Sequence, residues 1–376
     1  MHSLTESISS IFKTNLAVKK DERILVFTDR IREGEVLDVK EQCRRERLRD
    51  IAILTAEIGK AFGKILFYEY LSTMGHGIEP PEELWTIAFG QKTSGELKKH
   101  GLLDLLIKKE ITDEGIKKAE AIISKNKRTA VDAVIALSNY STSHTRFRDF
   151  LTRVCGCRYA SMPLFDVTMF EGPMNVDWRR LSKRTRAVAR IINTAEVIEI
   201  KTPNGTLIIL SKKGRKALSD DGILTKAGAF GNLPAGEVFL APVEGTAEGR
   251  LVLEWAPTRE LRSPITLNVK DGRVVDVVGD EPFVDYLIGK ISEREENRNI
   301  AELGIGTNDS AKRPDNILES EKILGTIHIA LGDNSSFGGK VKTPFHQDFV
   351  FFRPTVKLRT RDNKSFYLLK DGGLMI

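Results

Sequence analysis

A change of pattern near residue 190 constrains the fold of this chain of 376 residues more than any other feature. Before it, short apolar runs such as residues 23–29 and 132–137 alternate with segments of helical periodicity, of which residues 36–62 are the clearest. Strands that alternate with helices are joined by right-handed crossovers and form a mainly parallel sheet covered by helices. The sequence therefore predicts an α/β N-terminal domain over residues 1–190.

After residue 190 the chain consists mainly of short strand-like runs that are separated by tight turns. Asn204-Gly205 and Asp271-Gly272 each lie between two such runs, and both dipeptides favour the two-residue turn of an antiparallel hairpin. One helix is expected at residues 283–297. The sequence thus predicts a β-rich (α+β) C-terminal domain over residues 191–376.

Several classes of function are not indicated. The net charge is +6, but acidic and basic residues are interleaved, and the basic clusters lack the aromatic residues of a single-strand nucleic-acid binder. The sequence has no dinucleotide-binding, Walker or nucleophile-elbow motif. It also has no signal-peptide pattern, no apolar stretch of bilayer length and only three cysteines. We therefore expect a cytoplasmic protein that binds neither nucleic acid nor membranes.

Possible metal ligands are concentrated in the C-terminal half, each in a short segment that is apolar or carries glycine or proline: Glu237, Glu302, His328, His346 and Asp348. An uncompensated charge in such a segment is costly. His346 and Asp348 are two residues apart in a predicted strand, so their side chains should project from the same face, as ligands of one ion must. If the segment around Glu302 is a strand, Gly304 and Gly306 lie on the same face as Glu302 and would leave room beside its carboxylate. Each residue alone could be a hydrogen-bonded core histidine or a solvated glutamate, and only the whole set indicates a metal site.

The segments around these residues resemble the thermophilic aminopeptidase (aminopeptidase T) family of metallopeptidases. The similarity lies in residues 232–239, 302–308, 325–332 and 346–348, and the N-terminal half is compatible but less specific. The resemblance implies an α/β domain followed by a β-rich domain, and a homodimer. It also implies a metal-dependent aminopeptidase, which is a hydrolase that releases N-terminal amino acids from peptide substrates. Two divalent ions (Zn, Co or Mn) would activate the attacking water, and residues matching Glu237, Glu302, His328, His346 and Asp348 would bind them.

Two features depart from the peptidase pattern. Ser335 stands where that family has a tyrosine, and the segment between His328 and His346 is shorter than in typical members. A related branch resembles ring-cleaving dioxygenases of the 2,5-dihydroxypyridine type, which hold one Fe(II) with two histidines and one aspartate. In this chain His328, His346 and Asp348 would supply that set.

The two glutamates decide between these interpretations at the level of sequence. Glu237 and Glu302 favour two hydrolytic ions, so the aminopeptidase is the main prediction. The alternatives are the dioxygenase and a non-catalytic metal-binding relative. His144 would either touch substrate or have only a local role near the start of the following helix.

Overall fold

The computed structural model describes residues 4–376; residues 1–3, at the start of the stretch without a signal-peptide pattern, lie outside the described residues. The α-helices of this range are α1 (Leu4–Ser10), α2 (Val39–Gly59), α3 (Glu82–Phe89), α4 (Gln91–Lys99), α5 (Leu102–Ile107), α6 (Asp113–Lys125), α7 (Arg146–Asp149), α8 (Trp178–Ile192), α9 (Phe283–Glu293) and α10 (Ile317–Ser320). Between residues 4 and 376, no helix is both long enough and apolar enough to cross a membrane.

The strands are β1 (Arg23–Arg30), β2 (Lys64–Leu71), β3 (Ala133–Ala136), β4 (Arg158–Ser161), β5 (Ala195–Lys201), β6 (Leu207–Ser211), β7 (Leu218–Asp220), β8 (Phe230–Asn232), β9 (Glu237–Leu240), β10 (Glu248–Ala256), β11 (Arg259–Lys270), β12 (Arg273–Val278), β13 (Ile300–Gly306), β14 (Ile327–Gly332), β15 (His346–Phe351), β16 (Thr355–Thr360), β17 (Ser365–Lys370) and β18 (Gly373–Leu374).

The chain forms two compact units. The first unit comprises the chain up to Asn175 together with the later segment Gly222–Pro234. The second unit comprises Val176–Asp221 and Ala235–Ile376. The predicted boundary at residue 190 falls within α8, which belongs to the second unit.

The first unit contains a parallel sheet with the strand order β2-β1-β3-β4-β8. β1 is buried along most of its length, as the continuous apolar run predicts for a strand covered on both faces. Phe27 of β1 packs with Phe147 of α7, and Trp85 of α3 contacts the same phenylalanine. This unit confirms the predicted α/β class.

The second unit contains two antiparallel sheets that share one core. The larger sheet has the order β12-β11-β10-β6-β5-β16-β17-β18, and the smaller has the order β15-β14-β13-β9-β7. Ile198 and Leu251 of the larger sheet belong to the same buried cluster as Leu303 and Ile329 of the smaller one. The β-rich class is therefore confirmed, and both predicted turns join hairpins, with Gly205 and Gly272 at positive φ.

The helix predicted at residues 283–297 is shorter than expected. It ends at Glu293, because Arg294 adopts an extended backbone conformation, and a short 3-10 turn follows at Glu295–Arg298. The side chain of Asn297 donates to the carbonyl of Lys290 at 2.7 Å, which satisfies an acceptor in the last turn.

Candidate metal centre

The predicted ligands come from strands that are neighbours in the smaller sheet of the second unit. Glu237 lies on β9, Glu302 on β13 and His328 on β14, while His346 and Asp348 lie on β15. The strand order β15-β14-β13-β9 makes these strands adjacent. All five side chains occupy one face, because the register pairs ligand positions with small residues of the next strand: Glu237 with Gly306, His328 with Gly304, Asp348 with Ala330 and His346 with Gly332.

The opposite face of the same strands is apolar. Leu303, Ile305, Ile329, Leu331 and Phe349 are almost completely buried in the core between the two sheets. Side chains alternate between the faces of a strand, so burial of these residues holds the ligand positions on the other face. The hydrophobic pattern of the strands therefore positions the polar site.

Two glycines of β13 make room for the site. A Cβ at Gly304 would lie 1.9 Å from Nε2 of His328, so the imidazole occupies the space that a side chain would fill. A Cβ at Gly306 would lie 2.0 Å from the carbonyl oxygen of Ile323, so glycine allows the segment around Lys322 to approach the strand.

Glu302 lies between the two histidines. Its Oε1 is 3.4 Å from Nε2 of His328, and its Oε2 is 3.5 Å from Nε2 of His346. Asp348 Oδ2 is 3.4 Å from Nε2 of His346, and Glu237 Oε2 is 3.5 Å from Nε2 of His328. Carboxylates and imidazoles thus alternate in a row from Glu237 to Asp348, and we call these five residues the ligand row.

One end of the ligand row has the spacing of a metal site. Glu302, His346 and Asp348 each offer one ligand atom, and these atoms lie within 4.8 Å of one another. Neighbouring ligands that are each about 2.1 Å from one ion are about 3.0 to 3.5 Å apart, similar to the separations in the row.

The other end of the row leaves buried polar atoms unpaired. Oε2 of Glu237 and Nδ1 of His328 have no hydrogen-bond partner in the part of the chain that the structure describes. Such atoms are rare in folded proteins. The donor set that fits a divalent cation is the group of clustered atoms from Glu302, His346 and Asp348.

A backbone contact selects the nitrogen that His346 turns toward the site. Nδ1 donates to the carbonyl oxygen of Asp333 at 2.8 Å, which leaves Nε2 as the metal-binding nitrogen. Phe337 packs edge-on against the imidazole with a centroid distance of 6.2 Å, and it also contacts Phe239. The side chain of His346 is 34% exposed, whereas that of His328 is 1% exposed, so the row is open at the His346 end.

Lys322 and Glu321 also reach the site, and sequence reasoning missed both. Lys322 is fully buried, and its Nζ donates to Oε1 of Glu237 and to Oε2 of Glu321, each at 2.8 Å. Burial would lower the pKa of Lys322, but the two carboxylates raise it above its usual range. A Glu-Lys pair in a short connection is typical of a solvated turn, so the local sequence carries no signal of this burial.

The site has an excess of negative charge, since four carboxylates face one lysine ammonium. Burial raises the pKa of Glu302 and raises that of Glu321 to about 7. Burial would also raise the pKa of Asp348, but the adjacent His346 outweighs it and lowers the pKa to about 2. The surroundings of Asp348 thus keep it anionic, as a metal ligand must be.

The same charges act on the histidines. Burial would lower the pKa of His328, but the hydrogen bond with Glu302 and the charge of Glu237 raise it to about 9. Burial would likewise lower the pKa of His346, but Asp348 and Glu302 raise it to about 10. The row attracts positive charge, and a bound metal ion would displace these protons.

Two further residues from the sequence analysis lie outside the ligand row. The Oγ of Ser335 donates to the carboxylate of Asp333 at 3.1 Å, in the connection between β14 and β15. His144 is exposed in the first unit and lies two residues before α7 begins.

The family of the chain is shown by the match to one family model. The model described as NicX: 2,5-dihydroxypyridine 5,6-dioxygenase matches residues 174–365, which is just over half of the chain and includes the whole ligand row. The chain belongs to this family. Among curated proteins, the 2,5-dihydroxypyridine 5,6-dioxygenase of Pseudomonas putida KT2440 is 26% identical over 206 residues. That match covers 50% of this chain and only 57% of the relative's length.

Two solved structures share the fold. The 2,5-dihydroxypyridine dioxygenase of Pseudomonas putida KT2440 aligns with a TM-score of 0.65 at 18% identity, covering 99% of this chain and 96% of its own. Wild-type AmpT from Thermus thermophilus, an aminopeptidase T, aligns with a TM-score of 0.55 at 14% identity, covering 99% of both chains. The likeness to the thermophilic aminopeptidases is therefore supported at the level of the fold.

The predicted aminopeptidase activity is wrong, and so are the hydrolase and protease classes that it entails. The family model, the curated relative and the higher-scoring of these two structures all bear the name of a dioxygenase. The error has a chemical cause, because histidine and carboxylate ligands serve both hydrolytic and oxidative metal centres. Counting the two glutamates as ligands of a second ion gave the wrong class.

Proposed function

We propose that this protein is an iron-dependent dioxygenase that cleaves a hydroxylated pyridine ring, with 2,5-dihydroxypyridine as the first candidate substrate. Membership of the NicX family supports this reaction class. The observation that carries the proposal is the cluster of Glu302, His346 and Asp348 on one face of the smaller sheet. An imidazole nitrogen is a common ligand of iron, and the two carboxylates supply oxygen donors and negative charge that would retain a divalent ion.

We assign one Fe(II) ion to Glu302, His346 and Asp348. This set differs from the expected combination of His328, His346 and Asp348, because one ligand atom each of Glu302, His346 and Asp348 lie within 4.8 Å of one another. His328 contacts the other oxygen of Glu302, at 3.4 Å, and so can hold that carboxylate in place. The earlier expectation of two ions of Zn, Co or Mn stays a prediction, which metal counting will decide.

The residues around the cluster would prepare it for this chemistry. A bound Fe(II) would bind O₂ and a substrate hydroxyl and would mediate the transfer of electrons from the ring to O₂. The carbonyl of Asp333 orients His346, and the carboxylates of Glu302 and Asp348 supply the negative charge that retains the ion. Phe337 shields one edge of the His346 ring from water.

The direct test is O₂ consumption by the full chain. Protein loaded anaerobically with Fe(II) should consume O₂ when 2,5-dihydroxypyridine is added, and the absorbance of the aromatic ring should fall in equal amount. Protein loaded with Zn(II) should do neither, because Zn has no redox chemistry. Absence of O₂ uptake by protein that retains its iron would contradict the proposed reaction for this substrate.

Ligand variants test the assignment of the site. His346→Ala and Asp348→Ala should lose bound iron and reduce kcat/KM by more than about 100-fold, since loss of a ligand exceeds the effect of losing its supporting contacts. The matched control is His100→Ala, which changes an exposed histidine of the first unit. This variant should retain both its bound iron and the wild-type kcat/KM. His328→Asn should keep its iron, and loss of iron in that variant would favour the set that includes His328.

A further inference from the structure

Lys322 lies at the Glu237 end of the ligand row. Its ammonium is within hydrogen-bond distance of Glu237 and Glu321 and is completely shielded from solvent. Glu237 is also the end of the ligand row that is farther along the sheet from β15.

The two oxygens of Glu237 have different surroundings. Oε1 accepts from Nζ of Lys322 at 2.8 Å, while Oε2 is 3.5 Å from Nε2 of His328 and has no hydrogen-bond partner within residues 4–376. A metal ion at this end of the row would have to share Glu237 with the ammonium. Two cations at such a short separation repel each other strongly in a buried site.

The backbone around Lys322 is anchored on both sides. Its N–H donates to the carbonyl of Glu319 at 2.9 Å, and its carbonyl accepts from the N–H of Asn308 at 2.8 Å. The N–H of Leu324 donates to the carbonyl of Asn308 at 3.0 Å. Gly306 permits this close approach, since a Cβ there would collide with the carbonyl of Ile323. The fold thus fixes the stem of Lys322 beside the ligand row.

We propose that Lys322 limits this site to one metal ion, because its ammonium occupies the place of a second cation and neutralises Glu237 and Glu321. Glu237 is then a partner of lysine and not a ligand of the ion. This inference rests on the proposed function only in placing the ion at Glu302, His346 and Asp348. Lys322 acts on the metal content of the site through Glu237, and is a positioning residue.

The test counts metal ions with Mn(II) alone as the probe, by equilibrium dialysis and elemental analysis. The wild-type chain should bind one ion, and Lys322→Met should bind two, because two buried carboxylates then lack a cation. Electron paramagnetic resonance of Lys322→Met should show the exchange-coupled signal of a Mn(II) pair in place of the signal of an isolated ion. Lys322→Arg, which keeps the charge, should still bind one ion.

Further variants separate the role of Lys322 from general effects of losing a buried lysine. Lys212 is a buried lysine of the same unit whose Nζ donates to the carbonyl of Ala195, and Lys212→Met should still bind one ion. The double variant Lys322→Met with Glu237→Gln should return to one ion, because the second ion needs the freed carboxylate.

Glu237→Gln in the wild-type background keeps the inference testable even where Lys322→Met does not fold. It should retain one ion, and loss of that ion would show that Glu237 is a ligand and overturn the inference. Two ions in the wild-type chain, or one ion in folded Lys322→Met, would also overturn it. One ion without oxidation of dihydroxypyridine would instead overturn the proposed function and leave the role of Lys322 standing.

Discussion

At the scale of single residues, the site depends on positions that lack a side chain. The Cβ of an alanine at position 304 would lie 1.9 Å from Nε2 of His328, a residue that is almost fully buried. Gly304→Ala should therefore lower the free energy of unfolding by about 1–3 kcal/mol, as overpacking usually does. Urea unfolding of the full chain measures this change.

Gly289→Ala is the matched control for this prediction. Gly289 lies in α9 of the same unit, and a Cβ there would have no neighbour within 4 Å. Alanine favours a helix over glycine by about 0.5–1 kcal/mol, so this variant should be equally or more stable than the wild type. Equal stability of Gly304→Ala and the wild type would show that His328 has space to move.

Single residues also show how much of the site can be predicted from sequence. His346 and Asp348 were predictable as a pair because the spacing of two along a strand is local. Glu237 and Lys322 are 85 positions apart, and their contact depends on how β9 and β13 pair and on the bridge from Asn308 to Ile323. No local pattern encodes such a contact, so neither Lys322 nor its consequence for Glu237 could be predicted.

At the scale of the elements, the alternation within each strand was predictable and the order of the strands was not. The residues on either side of His328 are apolar, and the strand pattern correctly predicts that they face away from His328. The placement of β13 between β9 and β14 is a long-range result of packing two sheets on one core. The sequence thus indicated which residues share a face within a strand, but not which strands are neighbours.

The core face of β14 offers a test of this division between the two faces. Ile329→Ala removes a fully buried side chain from the core and should cost about 2–5 kcal/mol of unfolding free energy. Because Ile329 points away from the ligand row, the folded variant should still bind its metal ion. Urea unfolding and Mn(II) counting measure the two effects separately.

Val275→Ala serves as the control for this change. Val275 lies on β12 and is 54% exposed, so its truncation should change stability by no more than about 0.5 kcal/mol. Loss of the metal ion from folded Ile329→Ala would mean that the two faces of β14 are not independent.

At the scale of the whole molecule, the α/β and β-rich classes of the two domains were predictable. The exact residues that belong to each unit were not. β8 joins the parallel sheet of the first unit although it follows β5, β6 and β7 of the second unit in sequence. A single boundary cannot represent a segment that returns to an earlier sheet. The homodimer implied by the family resemblance stays a prediction.

The stability of the molecule should depend on metal, because the ligand row concentrates negative charge that only the folded chain assembles. A ligand that binds only the folded state stabilises it by about 2.7 kcal/mol at a free concentration 100 times its Kd. Metal-depleted protein should therefore become more stable by about this amount when Mn(II) is added to that level. The shift is measured by urea unfolding with and without the ion.

His346→Ala should show a much smaller shift at the same Mn(II) concentration, since it lacks one ligand of the cluster. An equal shift in that variant would place the stabilising ion elsewhere in the chain and remove the link between the ligand row and metal binding.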